Sequence, residues 1–401
     1  MILFQFQESF LNLCLELWIV LTKFSDKGFR RLTYFNIFQL FAVILGWTLI
    51  FLFFSKKGFT QAEFAIFFIV ASLSAVLALI FVKTINFRKF IAIGNLIRAS
   101  IFLLAAVLLI TSSVTYLKIE FYMMAFLWGV SFFVFWVPFN IVSFSYSCDK
   151  SKATISGIYS VTAISVGIAA PVAAGLIAHN FGYSYVFLTA AVLLLISAWF
   201  AFTAKKEDYQ GFDTAEYSLE DSMKAIGKAK FTALFDGIIS SVPMLLIPII
   251  TIFFFQGELE YGSFFSVVNL ASAIASLIFV TRSDKEGDRW MYILIPGGLL
   301  SLGFVIVTFA STPEIWALSI LAISFVSNIL GPFSTTIILD CAKDIPRAMV
   351  AREMMLNIGR IIGGTVILAF ILLNQTRFVF LFFALITLVY ILIIKKLAIY
   401  S

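Results

Sequence analysis

The chain is built from apolar runs of about twenty residues, one after another, separated by short polar stretches. A run of that length matches the hydrocarbon thickness of a bilayer when it is wound into an α-helix. The runs are continuous rather than alternating, so helices are expected and a β-barrel is not. Twelve runs can be counted, near 34–54, 62–83, 89–111, 120–147, 153–178, 184–203, 231–255, 262–281, 290–311, 314–342, 348–374 and 377–397. Hydrophobic residues make up 62% of the chain and charged residues only 12%. A water-soluble domain carries about 25% charged residues. The surface must therefore be solvated mainly by lipid, and the chain reads as an all-α polytopic membrane protein.

The charges that remain are placed unevenly. The net charge is +6, but the basic residues form no nucleic-acid patch; they lie in small groups between the runs. With twelve spans, 22 of the 28 lysines and arginines fall on the side holding both termini and every even-to-odd connection, and four fall on the other. Arg98 and Arg360 lie inside spans. This asymmetry predicts cytoplasmic termini. Residues 1–33 are expected to be an interfacial segment, because Gln5, Glu8, Asn12 and Glu16 share one helical face. The start lacks the basic residues of a cleavable signal. Cys14, Cys148, Cys341 and the single His179 have no metal-ligand spacing, and no phosphate loop occurs, so neither a metal nor a cofactor is expected.

The longest polar segment, residues 204–230, divides the chain into 34–203 and 231–401, each with six spans. The halves echo each other at a near-constant offset. Pro138-Phe139 matches Pro332-Phe333, Cys148-x-Lys150 matches Cys341-x-Lys343, and Lys152-Ala153 matches Arg347-Ala348. Two pseudo-symmetric six-helix bundles joined by a connector are therefore expected. "DKEGDR", Asp284 to Arg289, is similar to the D-R-x-G-R-R loop signature of the major facilitator superfamily, and the duplicated halves resemble that family from residue 34 onward. "GIAAPVAAG", Gly167 to Gly175, is similar to that family's G-P-x-x-G-G motif, with Ala170 and Ala174 replacing two glycines. The equivalent first-half loop, "KTINFRKF", keeps Arg88 and Lys89 but lacks the acid and glycine.

The resemblance implies a substrate site near the midplane, between the halves, lined by spans one, four, seven and ten. Candidates there are Asn36, Gln39 and Trp47 in span one, and Trp128, Trp136 and Asn140 in span four. Span seven supplies Asp236, with Gly237, Pro243 and Pro248 able to bend the helix; span ten supplies Ser327 and Asn328. Asp236 lies one to two turns inside its span, where a carboxylate can take a proton or cation or pair with an arginine. The resemblance assigns Asp284, Gly287 and Arg289 to a gating loop.

Buried charge is the other conspicuous feature. Arg360 is too deep to snorkel and needs a partner, and Glu353, Asn357 and Arg360 share one face of span eleven. Gly359, Gly363 and Gly364 permit close helix packing there. Arg360 is either an anion anchor or a tie to another helix through a carboxylate or carbonyl oxygens. The tie is preferred, since the resemblance does not make span eleven a principal cavity wall; Arg98 is read the same way.

The expected function is secondary active transport of a small organic solute by alternating access, by a monomer in the cytoplasmic membrane, with a coupling proton or cation and no enzymatic activity. The alternatives are a non-transporting scaffold or receptor of the same fold and a lipid flippase. A hydrated centre lined by Asp236, Asn140 and Asn328 would favour transport; a dry, Phe-filled centre would favour the scaffold.

Overall fold

The long apolar runs do become helices, each carrying its own backbone hydrogen bonds, as a chain in hydrocarbon must. The computed structural model describes residues 27–108, 114–145, 152–205, 214–286, 290–342 and 344–396. Spans one to six are Lys27–Lys56, Gln61–Phe81, Phe87–Leu108, Val114–Ser145, Lys152–Phe181 and Tyr183–Thr203. Span seven is composite: Lys230–Ser241, a π-helical turn Val242–Leu246, then Ile247–Phe254. Spans eight to twelve are Glu258–Glu286, Met291–Thr308, Pro313–Cys341, Ile345–Leu372 and Val379–Lys396. Nine of the described helical segments are long and apolar enough to cross a membrane, and Ser165–Phe181 and Ile293–Thr308 are shorter apolar stretches of spans five and nine. The chain is thus an integral, multi-pass membrane protein with twelve spans in two six-helix bundles.

Span one begins at Lys27, inside the segment expected to lie along the membrane surface. Arg30 and Arg31 lower the local hydropathy without breaking the helix, and Leu32 and Thr33 are already buried. The proposed amphipathic face at Gln5, Glu8, Asn12 and Glu16 lies outside the described residues. Helix starts follow local chemistry. Span two opens with a capping box, Glu63 N–H donating to Thr60 Oγ1 at 3.3 Å and Thr60 N–H to Glu63 Oε2 at 2.8 Å. Span eleven opens on Asp344, whose carboxylate accepts from Arg347 N–H at 3.1 Å, with Pro346 in the first turn where no amide is needed.

Two helix pairs form the main seams between the bundles: five with eight, and two with eleven. Adding six to each number exchanges these pairs, so they are one seam repeated by the duplication. Pro171 in span five cannot donate to the Gly167 carbonyl one turn back. Asn269 of span eight takes up that carbonyl, its Nδ2 donating at 2.6 Å, and Ser266 donates to Ile168 O at 2.7 Å. A Cβ on Gly262 would stand 2.4 Å from Pro171 O, and one on Gly175 2.7 Å from Glu258 O. The Gly167–Gly175 motif therefore serves as a docking strip for span eight.

The two ends of the molecule are tied differently. At the end away from the termini, Lys56 pairs with Glu258, which also accepts from Tyr183 OH at 3.1 Å. Thr376 Oγ1 donates to Gln61 Oε1 at 3.4 Å nearby. At the end holding the termini, the segment expected to be only a polar connector forms structure. Thr214–Glu216 pairs antiparallel with Thr84–Asn86 from the loop between spans two and three. A short helix, Leu219–Ile226, then packs on span eleven. The connector thus links a loop of the first bundle to a helix of the second.

Candidate functional site

A cavity of about 320 Å³ opens inside the second bundle. Spans seven, eight, nine, ten and twelve wall it, with Asp236, Ser240, Asn269, Ser327, Asn328 and Tyr390 among its polar lining. Its apolar lining includes Ile239, Pro243, Phe265 and Phe304. The sequence places the polar groups at helical steps. Ser240 follows Asp236 by four residues, and Asn328 follows Ser324 by four, so each pair shares a face. Ser240 donates to Gly237 O at 2.9 Å, and Asn328 Nδ2 to Ser324 O at 2.9 Å.

Span seven is the unusual wall. Its α-helix gives way to π geometry at Val242–Leu246, where Pro243 lacks an amide to continue the ladder. Single π turns recur at functional sites. Gly237 lies within the α-helical part of the span and serves close packing. A Cβ there would stand 2.2 Å from Leu356 O, and one on Gly359 2.2 Å from Leu234 O, so the two glycines let spans seven and eleven touch backbone to backbone. Gly363 faces Ser241 of span seven, while Gly364 faces Phe68 and Ile69 of span two. Span eleven is therefore gripped on two sides.

Beside this seam lies a charged cluster. Glu353, buried, accepts from Arg352 Nη1 at 2.7 Å and from Asn140 Nδ2 of span four at 3.4 Å, a contact between bundles. Asn357 Nδ2 donates to Glu353 O at 2.7 Å, and Asn357 Oδ1 accepts from Arg360 Nη1 at 3.1 Å. Arg360 sits 5.0 Å from the centre of the Phe132 ring. Glu353 and Asp236 are the acids within its electrostatic reach, and Arg352 the like charge. Among the described residues Arg360 makes no ion pair, so the expected tie to another helix through a carboxylate or carbonyl is not what the structure shows. Its cross-helix contact is a ring face. Arg360, Asn357, Trp47, Trp128, Phe132 and Met244 surround a second, tight cavity of about 20 Å³.

Arg98 is 1% exposed and ringed by aromatics: Phe135 at 4.3 Å, Trp128 at 5.7 Å, Trp136 at 5.9 Å and Phe132 at 6.0 Å. Its Nε donates to Ser131 Oγ at 3.4 Å, and its Nη1 has no hydrogen-bond partner among the described residues. A guanidinium at a span centre costs roughly 2.5–3.5 kcal/mol on insertion scales, so two of them without a carboxylate in contact are unusual.

The candidates named from sequence thus separate. Asp236, Ser327 and Asn328 meet in the large cavity; Trp47 and Trp128 stack at 4.2 Å beside the tight one. Trp136 packs edge-on to Phe135. Asn140 turns to Glu353 and lines neither cavity. Asn36 and Gln39 are buried in the first bundle and also line neither. Spans one and four are therefore not walls of the large cavity, against the expectation; spans eight, nine and twelve take their place. Asp284 lies on the last turn of helical span eight rather than in a loop, and Gly287 and Arg289 lie outside the described residues. Ser240, Asn269, Ser324 and Tyr390 were missed. The four-residue spacing to Asp236 and Asn328 could have flagged the two serines.

Known proteins place this architecture. Residues 229–398 match the family model of the Major Facilitator Superfamily. An uncharacterized protein, YqgE, of Bacillus subtilis (strain 168) is 26% identical across 61% of the chain; the match spans 59% of that protein's length. Solved structures share the fold at low identity. The peptide transporter POT in complex with sulfate gives a TM-score of 0.68 at 13% identity, over 93% of this chain and 94% of that one. A bacterial homologue of the iron transporter ferroportin in an inward-facing state gives 0.67 at 12%, over 92% and 98%. The human organic anion transporter MFSD10 gives 0.65 at 12%, over 92% and 100%. Residues 229–398 thus resemble the Major Facilitator Superfamily in sequence, and both bundles share the fold of these solved structures.

Proposed function

We propose that the chain is a secondary active transporter of a small organic solute, working by alternating access of residues 34–203 against 231–401, with 204–230 as the connector. The observation that carries this reading is the cavity of about 320 Å³ with Asp236, Ser327 and Asn328 in its walls. It falls at the small end of the range for ligand pockets, about 300–1,000 Å³, and pairs apolar walls with a few polar groups, as such pockets do. The solved neighbours include an organic anion transporter, a peptide transporter and a homologue of an iron transporter. Transport is what these have in common, and their variety selects no substrate.

The cycle would turn on the repeated seam. Lys56–Glu258 and Asn140–Glu353 bridge the bundles at opposite ends, so opening either end means breaking one of them. The lysine and arginine asymmetry orients both termini to the cytoplasm, in the cytoplasmic membrane. The chain would work as a monomer. Asp236 is the acid in the cavity wall and would carry the coupling proton or cation.

Uptake into proteoliposomes tests this, using a panel of labelled solutes with and without a proton gradient. Gradient-driven uptake that falls at least tenfold in Asp236→Asn, with the melting temperature preserved, is the expected result. Uptake insensitive to the gradient and to this substitution would remove Asp236 from the cycle.

A further inference from the structure

We propose that the tight cavity at Arg360 is a binding site for a small monovalent anion of chloride size, distinct from the 320 Å³ cavity. The buried charges point there. Arg98, Arg352 and Arg360 gather around span four and span eleven, and the acids in reach of Arg360 are Glu353 and Asp236. Glu353 is engaged by Arg352 and Asn140. Among the described residues neither Arg98 nor Arg360 has a carboxylate in contact, and both guanidinium groups lie against aromatic rings. An apolar medium disfavours a cation without a counterion in contact, and a bound monovalent anion supplies one.

Geometry supplies the seat. Arg360 uses one N–H on Asn357 Oδ1, while its Nε is buried without a hydrogen-bond partner in the described structure. The Arg98 Nη1 is in the same condition. Both guanidinium groups stand on the ring of Phe132, at 5.0 and 6.0 Å from its centre. The cavity beside Arg360, about 20 Å³, holds one water-sized or halide-sized occupant and nothing larger without rearrangement. Its position between Trp47 of span one, Trp128 of span four and Met244 of span seven brings both bundles to the ion. An anion there would bind best when the bundles are closed around it.

The stacked Trp47–Trp128 pair reports on the site. Tryptophan fluorescence of the purified full-length chain would be followed as sodium bromide replaces sodium gluconate at constant ionic strength. Gluconate is too large for the cavity. A saturable quenching component is expected in the wild type, weakened at least tenfold in Arg360→Gln and partly kept in Arg360→Lys. Quenching linear in bromide, or a saturable component equal in wild type and Arg360→Gln, would overturn the site. Should Arg360→Gln not fold, Trp47→Phe with Trp128→Phe decides: a saturable component that survives places the ion elsewhere. Binding is read without transport, so either result leaves the transporter reading to its own uptake assay.

Discussion

The two bundles descend from one pattern yet are filled differently. In the first, aromatic rings occupy the centre: Phe35 lies 5.9 Å from both Phe135 and Phe139, those two stack at 5.2 Å, and Trp47 stacks on Trp128. In the second, the corresponding interior holds the cavity. The repeat makes the comparison residue by residue near the matched prolines of spans four and ten. At the offset of Pro138 from Pro332, Ser327 corresponds to Phe133 and Asn328 to Val134, both buried and apolar. The criterion of a hydrated against a Phe-filled centre therefore divides within the molecule. The centre of the first bundle is packed with rings, and that of the second keeps the space. One half thus supplies a rigid partner and the other a pocket.

The largest test of this division concerns the helix that both bundles grip. In Gly359→Ala the new Cβ would stand 2.2 Å from Leu234 O and 2.8 Å from Ile238 N, and backbone cannot step aside as a side chain can. Overpacking costs about 1–3 kcal/mol where side chains yield, and more is expected here. Thermal melting in detergent should show loss of the folded protein or a sharp fall in its midpoint. Gly298→Ala meets nothing within 4 Å and should melt as the wild type does.

A swap across the repeat sharpens the comparison directly. Ser327→Phe gives the second bundle the residue of the first, and its ring has the cavity to enter. Uptake should fall more than tenfold with little loss of stability. Phe133→Ser does the reverse, emptying a packed site; a buried Phe→Ala costs about 3–5 kcal/mol, and the hydroxyl adds a polar group to satisfy. Melting separates the two: equal destabilisation by both substitutions would mean that the bundles are packed alike.

The spans themselves were legible because hydropathy over twenty residues is a local property. So was the duplication, through its prolines and basic pairs. What a polar residue faces was not. Asn36 and Gln39 look as promising in the sequence as Ser327 and Asn328, yet the first pair points into packed bundle and the second into space. Nothing in the sequence sets Asn269 of span eight apart, because its partner depends on a distant proline that frees the Gly167 carbonyl. The pairing of Thr84–Asn86 with Thr214–Glu216 escaped notice because three-residue strands carry no periodic signal. Arg360 failed in the opposite way: its need for a partner was plain, but among the described residues it meets a ring face and a neighbouring amide where a carboxylate or carbonyl of another helix was expected.

The smallest expected effect lies at the end of the molecule away from the termini. Lys56 is 43% exposed and Glu258 20%, so water screens their attraction, and such a pair contributes about 0–1 kcal/mol. Lys56→Gln should therefore hardly move the melting temperature. The same pair nevertheless spans the bundles, with Tyr183 holding the carboxylate in place. A small change in energy at a contact made in only one arrangement of the bundles shifts the populations of the arrangements by the same amount, up to about fivefold for 1 kcal/mol. Accessibility of a cysteine placed at Gln61, beside Thr376, should rise by that modest factor in Lys56→Gln and not in Lys118→Gln. Lys118 pairs with Glu63 inside the first bundle, at 2.7 Å, so its loss leaves the contact between bundles untouched. Equal accessibility in both would mean that the end is held shut by packing alone, and that the bundles part only where Asn140 meets Glu353.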